Sequence, residues 1–454
     1  MLTASKHDDR PVHRDDLERI FVEAEKPESA FRIGAEAEKF GVQRGTGAPL
    51  QYDGAFGVRR LFDSLTTEHG WSPVTETDDG PPIALTRGDA SITLEPGAQF
   101  ELSGAPYDDV HHAVTEMHQH LTELAGISKK MDLVWLGVGF HPFATQADLP
   151  WVPKHRYGIM REYLPTRGEG ALDMMRRTAT VQANFDYSSE EDAMRKLVVL
   201  LRLAPILHAM TANAPFVEGR RGPRKSERGN VWLHMDPSRS GLIEPLWTKP
   251  KPTYRDYAEW ALDAGMFLFR RGDGFVHNTG QTFRSFMQDG YQGHHATYDD
   301  WLLHLNTLFP EARLKRTIEV RACDMLPERL TGAVPALSTG LVYDRTSLDL
   351  ATDLALRLDY ATVMAARPAL VRDGLAANVG DISARRLAEQ VFEIAEGGLR
   401  RRARRNADGH DETIHLAALK PLTFAGRCPA DALIDGLAPG AAIAPAELLE
   451  RVRI

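Results

Sequence analysis

The 454-residue sequence predicts an α+β fold, an antiparallel sheet flanked by helices. Strand-like and helix-like segments mix along the whole chain. The strands are separated by excursions of very different lengths, so the regular βαβ rhythm of a parallel doubly wound sheet is missing. No Ser/Gly linker, repeat period or long low-complexity tract divides the chain. It reads as one unit over 1–454, with a helical lead-in at 1–30, a sheet-bearing core at 31–330 and a mostly helical part at 331–454.

The elements run in order. VHRDDLERIFVEAEK (12–26) looks like an opening helix. FRIGAEAEKFGV, from Phe31 to Val42, reads as a strand entering the core, interrupted by Glu36 and Glu38. A second helix is expected from Phe56 to Glu68. Short β pieces come next in PIALTRG (82–88) and ASITLEPGAQFELSG (90–104), then a helix through DDVHHAVTEMHQHLTELAGIS (108–128). LVWLGVGFHP (133–142) is a buried strand. RTATVQANFDYSS (177–189) carries strand alternation, and its Asp186-Tyr187-Ser188-Ser189 suggests a turn before the helix EEDAMRKLVVLLRLAPILHAMTANAP (190–215). RLKRTIEVRACD (313–324) is another strand, and the remainder is mostly helical.

Composition narrows the class. Apolar residues make up 43% and charged residues 26%, near the globular average, with no sign of general disorder. A net charge of −9 argues against broad nucleic-acid binding and leaves room for a local anion site. The two cysteines, Cys323 and Cys428, are too few for a disulfide framework and suit a reducing cytosol. The N-terminus alternates charges without the apolar core of a signal peptide, and no run approaches the roughly 18 apolar residues of a membrane span. A cytoplasmic protein with neither membrane nor nucleic-acid partners is expected.

In a strand, residues i and i+2 point the same way, roughly 6.5–7 Å apart. Glu36 and Glu38 therefore share a face. The spacing recurs in Gln99 and Glu101, in Gln182 and Asn184, and in Glu319 and Arg321. Pro96-Gly97 breaks the alternation after Glu95, so a bulge or turn sets the direction of that side chain. If these strands share a sheet, one face gathers Glu36, Glu38, Glu95, Glu101 and Glu319, with Arg321 the obvious positive partner in those motifs. Five carboxylates there would repel one another and be costly to desolvate. Cations offset that cost, and oxygen-rich sites suit Mg²⁺ or Mn²⁺, with Gln182 a further neutral oxygen. A single E-x-E is ordinarily a solvated sheet face; several in one chain make that reading less persuasive.

Neither a G-x-x-x-x-G-K-[ST] loop nor a strand-following G-x-G-x-x-G is present, so any ATP would be held mainly through metals and arginines. The absence of G-x-S-x-G and C-x-x-C weakens hydrolase and zinc-ribbon readings. FVEGRRGPRKSERGNVW carries Arg220, Arg221, Arg224, Lys225 and Arg228, either an anion clamp or a solvated loop. Arg228, beside the strand-like NVWLHMD, is the favoured member. His111, His112, His118 and His120 spread around one helix rather than forming a metal site. LRRRARR, Leu399 to Arg405, reads as a solvated helical face.

With these motifs assembled, the chain resembles the plant-type glutamate–cysteine ligases, a group also present in bacteria. FRIGAEAEKFG, SITLEPGAQFELSGAP, LGVGFHP, PKHRYGIMREYLP, LDMMRRTATVQANFDYSSE, FPEARLKRTIEVRACD and LTGAVPALSTGLVYD look like that family's blocks. The resemblance implies a glutamine-synthetase-like carboxylate–amine ligase fold with a curved antiparallel sheet flooring the site. It implies ATP as co-substrate and Mg²⁺ as cofactor, with Mn²⁺ as an alternative, and L-glutamate and L-cysteine as substrates of a monomer or homodimer. By similarity, Glu36, Glu38, Glu95, Glu101, Glu319 and Gln182 would hold the metal. Arg321 and Glu38 would be catalytic, and Arg161, Thr180, Asn184, Arg228, Trp232 and Arg321 would bind ATP or substrate. One departure matters: plant members carry redox-linked cysteines, including one in a block that here reads VHNTGQTF, where Asn278 stands. No plant-like disulfide switch is expected, and the N-terminus lacks a transit-peptide pattern. The rival readings are another carboxylate–amine ligase of the same fold and a non-catalytic nucleotide- or metal-binding relative.

Overall fold

The computed structural model describes residues 10–77, 79–272 and 274–454. Its sheet is built around β1, Ile33–Gln43, whose alternation sends Ile33, Ala35 and Ala37 into the core and Gly34, Glu36 and Glu38 to the other side. The other strands are β2 (Ser72–Thr75), β3 (Pro82–Arg87), β4 (Ala90–Leu94), β5 (Phe100–Ser103), β6 (Leu133–Leu136), β7 (Val181–Phe185), β8 (Ala312–Leu314) and β9 (Ile318–Val320). They form a nine-stranded open sheet in the order β8-β9-β7-β1-β5-β4-β3-β2, with β6 also paired to β1. Every ladder in it is antiparallel, as the irregular spacing of the strands predicts.

The helices that cover the sheet, brace that cover or border the site are α1 (Val58–His69), α2 (Val110–Lys130), α3 (Ala171–Arg177), α4 (Glu190–Thr211), α5 (Glu227–Leu233), α6 (Ala333–Val342), α7 (Tyr360–Asp373) and α8 (Ala384–Arg402). On the apolar side of the sheet, α2 and α6 pack on β1, α6 on β7, and α4 on β8 and β9. Phe100, Leu102, Val181, Ile318 and Val320 are almost wholly buried on this side. Each such side chain contributes about 1.5–3 kcal/mol. Lys39 interrupts the apolar row. It is 1% exposed, and its Nζ donates to the carbonyls of Ala37 at 3.0 Å and Phe100 at 3.3 Å.

Four expectations change. Residues 12–26 form two short pieces, Arg14–Asp16 and Arg19–Val22, too brief to hold a helix without tertiary support. The strand at 133–142 stops at Leu136, because Gly137 and Gly139 turn their N–H groups to Val452 and Asn213. Residues 313–324 are a hairpin: Lys315-Arg316-Thr317 turns the chain between β8 and β9. NVWLHMD is helical at its start, since the Ser226 hydroxyl accepts the Gly229 N–H and caps α5.

The basic and histidine runs take their bland roles. Arg400, Arg401 and Arg402 at the end of α8 pair with Glu396, Asp344 and Glu412. His111 on α2 meets His415 at 2.9 Å, while His120 stacks on Phe100. Among the described residues no helix is long and apolar enough to cross a membrane.

Candidate active site

Strand register brings the acidic residues together. In the β1–β5 ladder Glu38 stands opposite Glu101, and in the β1–β7 ladder Glu36 stands opposite Gln182. One strand further, Asn184 of β7 faces Glu319 of β9. All these positions lie on the face turned away from α2 and α6. Glu95 comes just after β4, at a tight turn where the Ala98 N–H bonds to the Glu95 carbonyl at 2.9 Å and the Glu95 N–H to the Gln99 carbonyl at 3.0 Å. The turn puts Ala98 in the left-handed region at φ 65°. It also requires glycine at 97, because a Cβ there would stand 2.5 Å from the Arg176 carbonyl oxygen. Glu95 stands close enough in charge to press on both Glu38 and Glu101.

Gln99 does not join them. Its Nε2 donates to the carbonyls of Met175 and Thr178 at 3.2 and 2.9 Å, tying the turn to the end of α3.

The side chains interlock. Asn184 donates to Glu36 at 2.7 Å, the Thr180 N–H to Glu38 at 3.0 Å, and the Thr93 hydroxyl to Glu101. Arg321 donates to Gln182 at 2.7 Å and pairs with Glu319. Arg313, directly across the β8–β9 hairpin, also grips Glu319 through Nε at 3.0 Å and Nη2 at 2.7 Å. Burial, then the charges of Glu319 and Glu101, raises the Glu36 carboxyl to about 8. Glu38 is pushed well above the ordinary range by burial and by Glu101 and Glu95, and Glu101 is raised by burial and Glu95. Burial works to raise Glu319 as well, but Arg313 and Arg321 overrule it and hold that carboxyl far below the usual range.

The substrate candidates separate into two groups. Arg228 lies near enough to Glu38 to stabilise its charge. Its guanidinium is held by the carbonyls of Ala322 at 3.0 Å and Arg321 at 2.7 Å, with Asp324 3.6 Å away. Trp232 packs edge-on against Phe309 beside it, and the Thr180 hydroxyl is engaged by the Cys323 carbonyl. Arg161 stands apart. It is exposed and stacked on Trp151, and no contact among the described residues ties it to the carboxylates.

Sequence reading missed Arg313, whose partner lies across a turn, and Asp324, a fully buried carboxylate. Asp324 accepts the Asn213 N–H at 2.7 Å and the Ser226 hydroxyl at 3.0 Å, anchoring the segment that carries Arg228. The RACD motif was a signal for it.

The family model for glutamate–cysteine ligase family 2 matches residues 32–446. The chain belongs to this family. Among curated relatives, the chloroplastic glutamate–cysteine ligase of Brassica juncea is 38% identical over 94% of this chain and 81% of its own length. Glutamate–cysteine ligase A of Oryza sativa subsp. indica is 37% identical over 94% and 85%. A solved glutamate–cysteine ligase from Francisella tularensis in complex with AMP has the same fold, with a TM-score of 0.51 and 13% identity over 93% of this chain and 87% of that one.

The acidic face has the make-up of a cation site. The donors are all oxygens, and raised carboxyls hold protons where a divalent ion would otherwise offset their charge; this chemistry fits Mg²⁺. As placed, no three His, Cys, Asp or Glu side chains among the described residues stand in metal-holding geometry. The carboxylates therefore have to turn to take an ion, and a Mg²⁺ site usually leaves part of its shell to water and phosphate. Cys323 and Cys428 are both free and buried. Asn278 is buried too, donating to Gln281 at 3.0 Å.

Proposed function

We infer that the protein is an ATP-dependent glutamate–cysteine ligase that joins the γ-carboxylate of L-glutamate to the amine of L-cysteine, the first step of glutathione synthesis. The observation that carries this reading is a family match over residues 32–446 on a chain that keeps the whole acidic face. A non-catalytic relative has no physical need for so costly a constellation of charges.

A carboxylate is a poor acyl donor. In the first step an oxygen of the γ-carboxylate attacks the γ-phosphorus of ATP and ADP leaves, giving γ-glutamyl phosphate. The cysteine amine then attacks the acyl carbon, forming the amide and releasing phosphate and a proton. Three anionic groups must meet in the first step, and Arg321, already beside Glu319 and Gln182, supplies fixed positive charge there. Glu36, Glu38, Glu95, Glu101 and Glu319, with Gln182, would hold Mg²⁺, which when bound screens the phosphates and polarises the transferred group; Mn²⁺ is the alternative. Arg228 steers an anionic substrate group from a guanidinium fixed by two backbone carbonyls. An exposed acyl phosphate hydrolyses, and the arginine-rich segment at 220–228 supplies cover.

The reading includes a cytoplasmic location and a monomer or homodimer, which cell fractionation and light scattering test. The chemistry is tested by ADP release from purified protein with Mg²⁺, ATP and glutamate, adding cysteine or other amines in turn. Cysteine-dependent turnover giving γ-glutamylcysteine is the expected result. Turnover only with another amine moves the assignment to a different carboxylate–amine ligase, and silence with every amine despite ATP binding removes it.

A further inference from the structure

Among the carboxylates of the acidic face, Glu95 is held differently from the rest. Asn184 donates to Glu36, the Thr180 N–H to Glu38 and the Thr93 hydroxyl to Glu101, while Arg313 and Arg321 grip Glu319. The half-buried Glu95 carboxylate has no hydrogen bond or ion pair with a described residue.

Its main chain is fastened instead. β4 pairs with β3 only as far as Ala84 and Thr93, so the Leu94 carbonyl, one residue before Glu95, has no strand partner on that side. Two side chains take it: the Tyr157 hydroxyl and the Lys154 ammonium each donate to it at 2.7 Å. Lys154 stands just before the helix His155–Tyr163 and Tyr157 in its first turn, and both are buried. Lys154 Nζ and Arg156 Nη2 also donate to the Tyr157 oxygen, each at 3.4 Å, which leaves the hydroxyl proton for Leu94. Beyond Glu95, the Val152 N–H donates to the Pro96 carbonyl at 3.0 Å, and Gln99 Oε1 accepts the Gly97 N–H at 2.9 Å. The backbone is pinned on both sides of a carboxylate that is itself unattached. A buried ammonium is costly. Lys154 directs its own at a main-chain oxygen, although Glu95 and Glu101 lie within reach of its charge.

We propose that Tyr157 and Lys154 are positioning residues for the cation site, holding the Leu94 carbonyl so that the unattached Glu95 carboxylate is aimed across the acidic face. The assignment rests on the reading of that face as a Mg²⁺ site. Glu36, Glu38, Glu101 and Glu319 are each tied to a neighbour, which leaves Glu95 as the carboxylate with both oxygens open to a divalent ion. Such a ligand binds well only if its backbone does not swing, and the outer partners that fix a metal ligand are worth roughly 10–100-fold in metal affinity.

Tyr157→Phe removes one hydroxyl and no charge. In calorimetric titration of the full-length protein without ATP, its affinity for Mg²⁺ is expected to fall about 10-fold. The deciding measurement is a double-mutant cycle. Glu95→Gln alone is expected to weaken Mg²⁺ binding, and adding Tyr157→Phe to it to cost nothing more, because the hydroxyl acts only through Glu95. Lys154→Arg keeps the charge but replaces a compact ammonium by a longer planar fork, and is expected to weaken Mg²⁺ in the same way. It takes over the cycle if Tyr157→Phe fails to fold.

Wild-type Mg²⁺ affinity in Tyr157→Phe overturns the proposal. An equal further fall in the Glu95→Gln background makes Tyr157 a structural tether of the whole site and overturns it too. A wild-type protein that binds no divalent ion strikes the reading of the acidic face, and the proposal falls with it; wild-type binding with unchanged variants strikes the clamp alone.

Discussion

Glu36 and Glu38 begin as two charges misplaced in an apolar strand, and burial together with the neighbouring carboxylates explains why both hold a proton more tightly than a free carboxylate. With the Glu36 carboxyl raised from 4.5 to about 8, the folded state binds a proton that the unfolded chain releases earlier. Stability from this group is complete below about 4.5 and is lost as pH rises toward 8 in the cation-free enzyme. A divalent ion takes the place of those protons. Titrating Mg²⁺ calorimetrically at neutral pH in buffers of different ionisation enthalpy is therefore expected to show net proton release, with affinity rising with pH. Glu38→Gln is expected to release fewer protons, need more Mg²⁺ and lose about 10²–10³ in kcat while keeping its far-UV circular dichroism. Identical proton release and Mg²⁺ dependence in the variant would take Glu38 out of the site.

The β8–β9 hairpin is the element whose charge balance the sheet depends on. Arg313 and Glu319 face each other across it, and Glu319 is 2% exposed. Removing the guanidinium in Arg313→Met leaves a buried carboxylate with Arg321 as its close partner, an expected loss of about 3–5 kcal/mol in denaturant unfolding. Adding Glu319→Gln is expected to recover much of that stability without recovering turnover. This pairing was illegible in the sequence because RLKRTIEVRACD has strand composition from end to end. Only the fold places a turn at Lys315-Arg316-Thr317 and so sets a register in which residue 313 meets 319. The i, i+2 pairs were legible for the opposite reason, since alternation within one strand needs no partner. Gln99 marks the limit of that rule: two residues from Glu101, it lies beside the turn and spends its amide on the backbone of α3 and the chain after it.

Across the whole molecule, the sequence supported the antiparallel sheet and its helical cover, because irregular strand spacing excludes crossover topology whatever the register. It did not show that His208, Trp232, Glu311 and Arg367 come together around one cavity between α4, α5 and α7, because they belong to segments far apart in the chain. The two cysteines are a further property of the whole molecule. Cys323 and Cys428 are both buried, and burial pushes each thiol up to about 12. Activity is expected to be equal with and without reductant; a large reversible loss on reduction would show a disulfide switch. These sulfurs also bear on what the enzyme handles. A catalyst that turns over free cysteine works beside cystine, whose disulfide exchanges with any accessible thiolate. With both sulfurs sealed in and protonated, this protein offers its own substrate nothing to form a mixed disulfide with, so it is expected to escape cysteinylation.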